Sequence, residues 1–250
     1  MRLRDYSEDI PKPMVQVGYR PILWNLMKYY AHFGHTDFIL CLGYKGDYIK
    51  RYFVEYDEYI SNDFVLAGGK QEMKLLNRDL DNWNITFVDT GMTSNIGQRL
   101  LKVKQHLEGE EVFLANYSDG LSDLPLNKMI DSFQKTGKTA SLMAYQSTQS
   151  FHVVKLEDDN AVKSISPISN SGMWINTGFF VFKQQIFDYI KPGEELVMEP
   201  FQRLIAENEL QAYPYDGFFT AMDTFKDKQV FDDLYTTGKT YWEVWKNGHR

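Results

Sequence analysis

Glu111-Val-Phe-Leu-Ala-Asn-Tyr-Ser-Asp-Gly120 decides how this chain is read. Its apolar run has the length of a buried strand, and it ends at an aspartate followed by a glycine, which opens a turn. A strand that delivers a carboxylate to its C-terminal end fits an open α/β sheet, where ligands sit beyond the carboxyl ends of the strands. Upstream, Ile22, Leu23, Leu26, Met27, Tyr30 and Phe33 recur at helical spacing between Pro21 and Gly34, predicting a helix over 21–33. A buried strand is expected over 37–42, a turn over 43–46, a helix over 47–53, a strand over 85–88 and a helix over 95–107. Downstream the pattern changes to short strands over 139–145, 151–156, 162–165 and 175–182, with a helix around 199–207. The expected fold class is therefore α/β: a mostly parallel sheet with helices on both faces, continued by a mixed or antiparallel C-terminal part, in one domain over 1–250.

Composition narrows the function. A chain of 250 residues with 43% hydrophobic content can bury a large core. The net charge of −7 speaks against a nucleic-acid binder, which needs a clustered basic face. A nucleotide substrate is compatible with it, because one nucleotide needs only a few local cations or a metal ion. Neither end resembles a signal peptide, and no apolar run approaches the roughly 18 residues of a membrane span. The expectation is a soluble cytoplasmic protein without a membrane partner; a homo-oligomer is left open. The one cysteine, Cys41, excludes an intrachain disulfide framework and reads as a buried core residue within Phe38-Ile-Leu-Cys-Leu42.

Some motifs mislead. Gly137-Lys-Thr139 and Gly238-Lys-Thr240 end like a phosphate-binding loop, but Ser132 and Asp233 stand where that loop needs its first glycine, so both read as turns. Leu66-Ala-Gly-Gly69 reads as a loop. The five histidines show no metal-site spacing.

The residues that carry chemistry are two aspartates. Asp119 leaves an apolar strand beside Gly120, and Asp223 lies in Phe218-Phe-Thr-Ala-Met-Asp-Thr224, where an aromatic segment again runs into a turn before a helix. Two carboxylates converging from distant parts of a chain can hold Mg²⁺ against substrate phosphates. Spacing alone leaves a second reading open, in which each aspartate caps the helix or turn that follows it.

Pro11-Lys-Pro-Met14, Pro21-Ile-Leu-Trp24, Leu42-Gly-Tyr-Lys-Gly46, Phe87-Val-Asp-Thr-Gly91, Asp119-Gly-Leu-Ser-Asp123, Ile175-Asn-Thr-Gly-Phe-Phe-Val181 and Met222-Asp-Thr-Phe-Lys-Asp227 occur in this order, before a closing Trp242-Glu-Val-Trp245. Together they resemble the glucose-1-phosphate cytidylyltransferase branch of the sugar-phosphate nucleotidyltransferases, whose fold is Rossmann-like and similar to the GT-A type. The resemblance implies a nucleoside triphosphate and a sugar 1-phosphate as substrates and Mg²⁺ as cofactor. It implies Asp119 and Asp223 as metal ligands, Lys12 on the phosphates, and Arg2 as the remnant of a nucleotide loop. It further implies that Gly97, Gln98, Arg99, Asp119 and Gly120 bind the nucleotide, and that Asn176 and Gly178 lie near the sugar.

The resemblance also marks departures. The family's first strand and Gly-Gly-x-Gly-Thr turn are expected to be missing from the start, so that 1–250 reads as N-terminally incomplete, poorly active and prone to aggregate. At Ser166-Pro-Ile-Ser169 many relatives carry Glu-Lys-Pro, and near His152 many carry a glycine beside the sugar. The acceptor is accordingly expected to differ from glucose 1-phosphate or to be chosen less strictly. Two other readings stay open: a catalytically impaired relative that binds a nucleotide or sugar nucleotide, and a metal-dependent glycosyltransferase.

Overall fold

Helix α1 (Ile22–His32) starts directly after Pro21, whose fixed φ suits a helix entry, and buries Ile22, Leu23, Leu26, Met27, Tyr29 and Tyr30. The structure, a computed structural model, describes residues 10–69, 71–146 and 152–249. Strand β1 (Asp37–Leu42) follows, then α2 (Gly46–Val54), β2 (Asn84–Asp89) and α3 (Ile96–Val103), the last tightening into a 3₁₀ turn at Lys104–Leu107. The second half contributes β3 (Val112–Asn116), α4 (Leu126–Thr136), β4 (Ala140–Gln146), β5 (Trp174–Lys183), α5 (Glu199–Ala206), β6 (Leu210–Tyr215) and α6 (Phe225–Thr236).

β1 and β2 form a parallel pair, with Asp37 opposite Asn84 and Leu42 opposite Asp89. The other four strands lie in the order β6-β4-β5-β3. β5 is antiparallel to both β3 and β4, while β6 is parallel to β4, so β3, β4 and β6 share one direction and β5 alone reverses. The α/β class expected from the sequence is what the chain forms; among the described residues parallel pairing is confined to β1 with β2 and β4 with β6, and the four-stranded sheet is mixed.

Phe179-Phe-Val-Phe182 shows why this sheet must be covered on both faces. Successive side chains of a strand point to opposite sides. Phe179 and Val181 join a core with Tyr29, Tyr30, Phe133 and Phe231 from α1, α4 and α6, while Phe180 and Phe182 join another with Leu100, Val103, Phe201 and Leu204 from α3 and α5. An unbroken apolar strand is stable only between two such layers. Each buried aromatic here contributes roughly 2–3 kcal/mol through removal of its surface from water.

Two sequence expectations need correction. Leu66 and Ala67 belong to a strand, Phe64–Ala67, that pairs antiparallel with Glu72–Leu75; only Gly68 and Gly69 are in the turn, both with positive φ. The glycines had drawn the apolar residues before them into the loop. Cys41 is half-buried and packs at the margin of the second core, where burial pushes its thiol up to about 11.

The segment before β2 is tied down by Asp79. Its carboxylate, 10% exposed, accepts from Tyr56 Oη at 2.7 Å, Arg20 Nη2 at 3.3 Å and Lys28 Nζ at 3.3 Å. Burial alone would raise its pKa; Tyr56, Lys28 and Arg20 together hold it below the usual value. A carboxylate whose folded pKa lies below its unfolded one, near 3.9, adds stability above that pH and loses it as pH falls further. Asp79→Asn is expected to lower stability at pH 7 by about 1–3 kcal/mol. The wild type should lose that advantage below about pH 4, so urea midpoints of the two chains should converge there.

Candidate active site

Asp119 and Asp223 are brought together by a short ladder. Gly120–Ser122 pairs antiparallel with Phe219–Ala221, with Ala221 opposite Gly120, and the Met222 N–H donates to the Asp119 carbonyl at 2.8 Å. Beyond the Gly120–Ala221 pair Asp119 therefore lies opposite Met222, and Asp223 is the next residue. Below the ladder, Asp123 Oδ1 accepts from the Phe218 N–H at 2.7 Å and from Tyr215 Oη at 2.5 Å, which fixes the register.

The alternative reading of Asp223 as a helix cap is excluded by its neighbours. Thr224 caps α6 and forms a capping box with Asp227, and Asp227 Oδ2 accepts from both the Thr224 N–H at 2.7 Å and the Asp223 N–H at 3.1 Å. With its backbone held this way and its cap supplied by the next residue, the Asp223 carboxylate points outward, 69% exposed.

Lys12 closes the group. Pro11 and Pro13 bracket it, it opens a 3₁₀ turn at Lys12–Met14, and Met14 is buried with Leu23, Met27, Leu42 and Ile49. Anchored in this way, Lys12 Nζ lies 2.6 Å from Asp119 Oδ2 and 2.7 Å from Asp223 Oδ1. Burial works against the lysine's charge, but Asp119 and then Asp223 outweigh it, so its pKa is raised and it stays protonated at neutral pH. Burial also raises Asp119, against the pull of Lys12.

A second group adjoins the first. Asn176 Nδ2 donates to Tyr117 Oη at 3.2 Å, and Asn176 Oδ1 accepts from the Gly178 N–H at 3.0 Å. Gly178 has φ +80°, and a Cβ placed on it would come within 2.4 Å of the Tyr117 ring. Gly178→Ala is expected to cost about 1–3 kcal/mol, because the residue must leave the left-handed region or push Tyr117 aside. Thermal denaturation measures this directly.

Gly97, Gln98 and Arg99 are engaged at another wall, by the carboxyl ends of β1 and β2. A Cβ on Gly97 would meet the Glu194 carbonyl oxygen at 2.5 Å. Gln98 and Asn95 form the capping box of α3. Arg99 Nη1 donates to Thr90 Oγ1 at 2.6 Å, and Thr90 Oγ1 donates to the Leu42 carbonyl at 2.7 Å. Arg2 lies outside the described residues.

The nucleotidyl transferase family model matches residues 1–243. The chain belongs to the nucleotidyl transferase family. Over 246 residues it is 37% identical to the Bacillus subtilis "Probable glucose-1-phosphate cytidylyltransferase" and 36% identical to the Salmonella typhi "Glucose-1-phosphate cytidylyltransferase", each time across 98% of this chain and 95% of the relative. Among solved structures, the UDP-glucose pyrophosphorylase of Acinetobacter baumanii is similar in fold, with a TM-score of 0.67 at 16% identity over 97% of this chain and 91% of that one. This nucleotidyltransferase is thus an enzyme acting on sugar phosphates, as its motif blocks imply.

Two residues of the candidate site carry weight that the sequence alone did not give them. Tyr117 joins the Asn176–Gly178 bulge to the turn after β3 that carries Asp119, and Asp227 frees Asp223 from capping. The second was legible, since Thr224-x-x-Asp227 has the spacing of a capping box.

Proposed function

We propose that this chain transfers the cytidylyl group of CTP to glucose 1-phosphate or a related sugar 1-phosphate, releasing pyrophosphate. The observation that carries this reading is the meeting of Asp119 and Asp223 at Lys12. Two anions must be joined in the reaction, and each close pair of unit charges at about 4 Å repels by roughly 4 kcal/mol at an effective dielectric near 20. Lys12, reaching from a proline-braced turn, is placed to neutralise phosphate oxygens, and Asp119 and Asp223 to hold a cation beside them.

Enzymes of this family use a divalent metal. Mg²⁺ fits the donors present: it takes hard oxygen ligands and is commonly held by one or two carboxylates together with substrate phosphates. Asp119 and Asp223 would hold it, and when bound it would offset charge developing on the phosphates. Tyr117 and Asn176 would orient the sugar, since their linked hydroxyl and amide can donate and accept beside the strand end. Gly97, Gln98 and Arg99 would form the wall toward the base. The protein would act in the cytoplasm; among the described residues no helix is long and apolar enough to cross a membrane.

Incubation with CTP, glucose 1-phosphate and Mg²⁺ is expected to release pyrophosphate and yield CDP-glucose by mass spectrometry. Release of free nucleoside diphosphate without pyrophosphate would instead favour glycosyl transfer. Because Ser166 and Ser169 bring no charge to the hairpin formed by His152–Leu156 and Val162–Pro167 and the turn after it, discrimination between glucose 1-phosphate and its galactose epimer should be below about 100-fold in kcat/KM. A ratio far above that would show that other groups read the sugar hydroxyls.

A further inference from the structure

We propose that the Lys12 ammonium is a stand-in cation, which keeps a free divalent ion off Asp119 and Asp223 until a triphosphate offers the lysine other anions. This rests on the reading of the two aspartates as the metal ligands. The geometry behind it is specific: one Nζ lies at 2.6 Å from Asp119 Oδ2 and 2.7 Å from Asp223 Oδ1, so a single cation already satisfies both carboxylates. These are short charge-assisted hydrogen bonds, the strongest class available to a lysine. Among the described residues no group of three or more histidine, cysteine, aspartate or glutamate side chains could hold a metal ion, so a lone divalent ion would have little beyond these two carboxylates to replace its water with.

A free metal ion entering this site must therefore break both bonds and leave a half-buried ammonium beside a divalent charge. A metal arriving with a triphosphate changes the balance. The phosphates supply oxygens to the metal and anions to the released lysine, and no charge is left unpaired. Occupation of the site is then coupled to the nucleotide by differential contacts in two states, with the same lysine serving the carboxylates in one and the phosphates in the other.

The test is Mn²⁺ binding to the whole chain, followed by electron paramagnetic resonance and by calorimetry without nucleotide. Lys12→Gln is expected to bind Mn²⁺ at least about tenfold more tightly than wild type, and Lys12→Arg, which keeps the charge, to remain weak. Adding Asp119→Asn to Lys12→Gln should remove the gain. The unmodified chain gives an independent measurement that does not depend on how the variants fold. Acetylation of Lys12, read by mass spectrometry, should be slow without metal and accelerate severalfold at Mn²⁺ concentrations that fill the site. Equal Mn²⁺ affinity in wild type and Lys12→Gln, or Lys12 labelling that ignores bound Mn²⁺, would overturn the proposal. If Asp119→Asn and Asp223→Asn still weaken Mn²⁺ binding in that case, the metal assignment survives and only the stand-in role falls. If neither aspartate matters to Mn²⁺, both fall together.

Discussion

Asp119→Asn is expected to lower kcat by about 10²- to 10³-fold while leaving the unfolding midpoint nearly unchanged. The separation follows from where the charge acts. In the resting protein Asp119 is mostly buried, and burial raises its pKa, so its ionised form costs the fold desolvation that Lys12 only partly offsets. Removing the charge relieves that cost, and Lys12 keeps Asp223 as a partner at 2.7 Å. During transfer the same charge would be needed to hold a cation against developing phosphate charge, where nothing replaces it. Asp223→Asn should behave alike, with an even smaller effect on stability because its side chain is 69% exposed. If the two carboxylates hold one ion as proposed, the double variant should cost less than the product of the single losses, since two ligands of one ion act as a unit. Steady-state pyrophosphate release and urea unfolding on the same preparations check all of this. Activity within tenfold of wild type for Asp119→Asn would remove it from the reaction centre.

The helices and parallel strands were legible because their signals are local. Pro21, the apolar spacing to Phe33 and Gly34 mark α1 to within a residue or two, and the run at 37–42 is β1. What could not be read locally is the pairing of Gly120–Ser122 with Phe219–Ala221. Each strand is too short to announce itself, and the register depends on Asp123 accepting from Phe218 and Tyr215 far along the chain. The aspartates were nominated from their turns and from the motif blocks, but the reason they meet lies in that ladder. Tyr117 was hidden for a similar reason. Its bond to Asn176 exists only because β5 shifts register between Asn176 and Phe180, opening a bulge at Gly178. The glycines at 68 and 69 show the opposite error, where a strong turn signal obscured the short strand leading into it.

Trp242→Ala is expected to cost about 3–5 kcal/mol, which is a large share of the roughly 5–15 kcal/mol that keeps a domain folded. Trp242 is 1% exposed and among the largest fully buried side chains of the described residues. Its ring lies 5.9 Å from that of Phe218 and 5.5 Å from that of Phe231, and its Nε1 donates to Asn25 Oδ1 at 3.3 Å. Asn25, itself buried in α1, spends its amide on the Pro21 carbonyl at 3.1 Å, so loss of the indole leaves its oxygen without that donor as well as opening a cavity. Trp242→Phe should recover most of the volume but not the hydrogen bond, and fall between the two, about 1–3 kcal/mol below wild type. The contact also reaches the proposed reaction centre. Phe218 gives its N–H to Asp123 and leads directly into the strand Phe219–Ala221, which ends two residues before Asp223, so a loosened Trp242 pocket should let that strand drift from Gly120–Ser122. Measured at temperatures where it is still folded, Trp242→Phe should therefore lose kcat as well as stability, although Trp242 touches neither aspartate. A variant that loses stability but retains full kcat would show that the Asp123 clamp alone sets the position of Asp223.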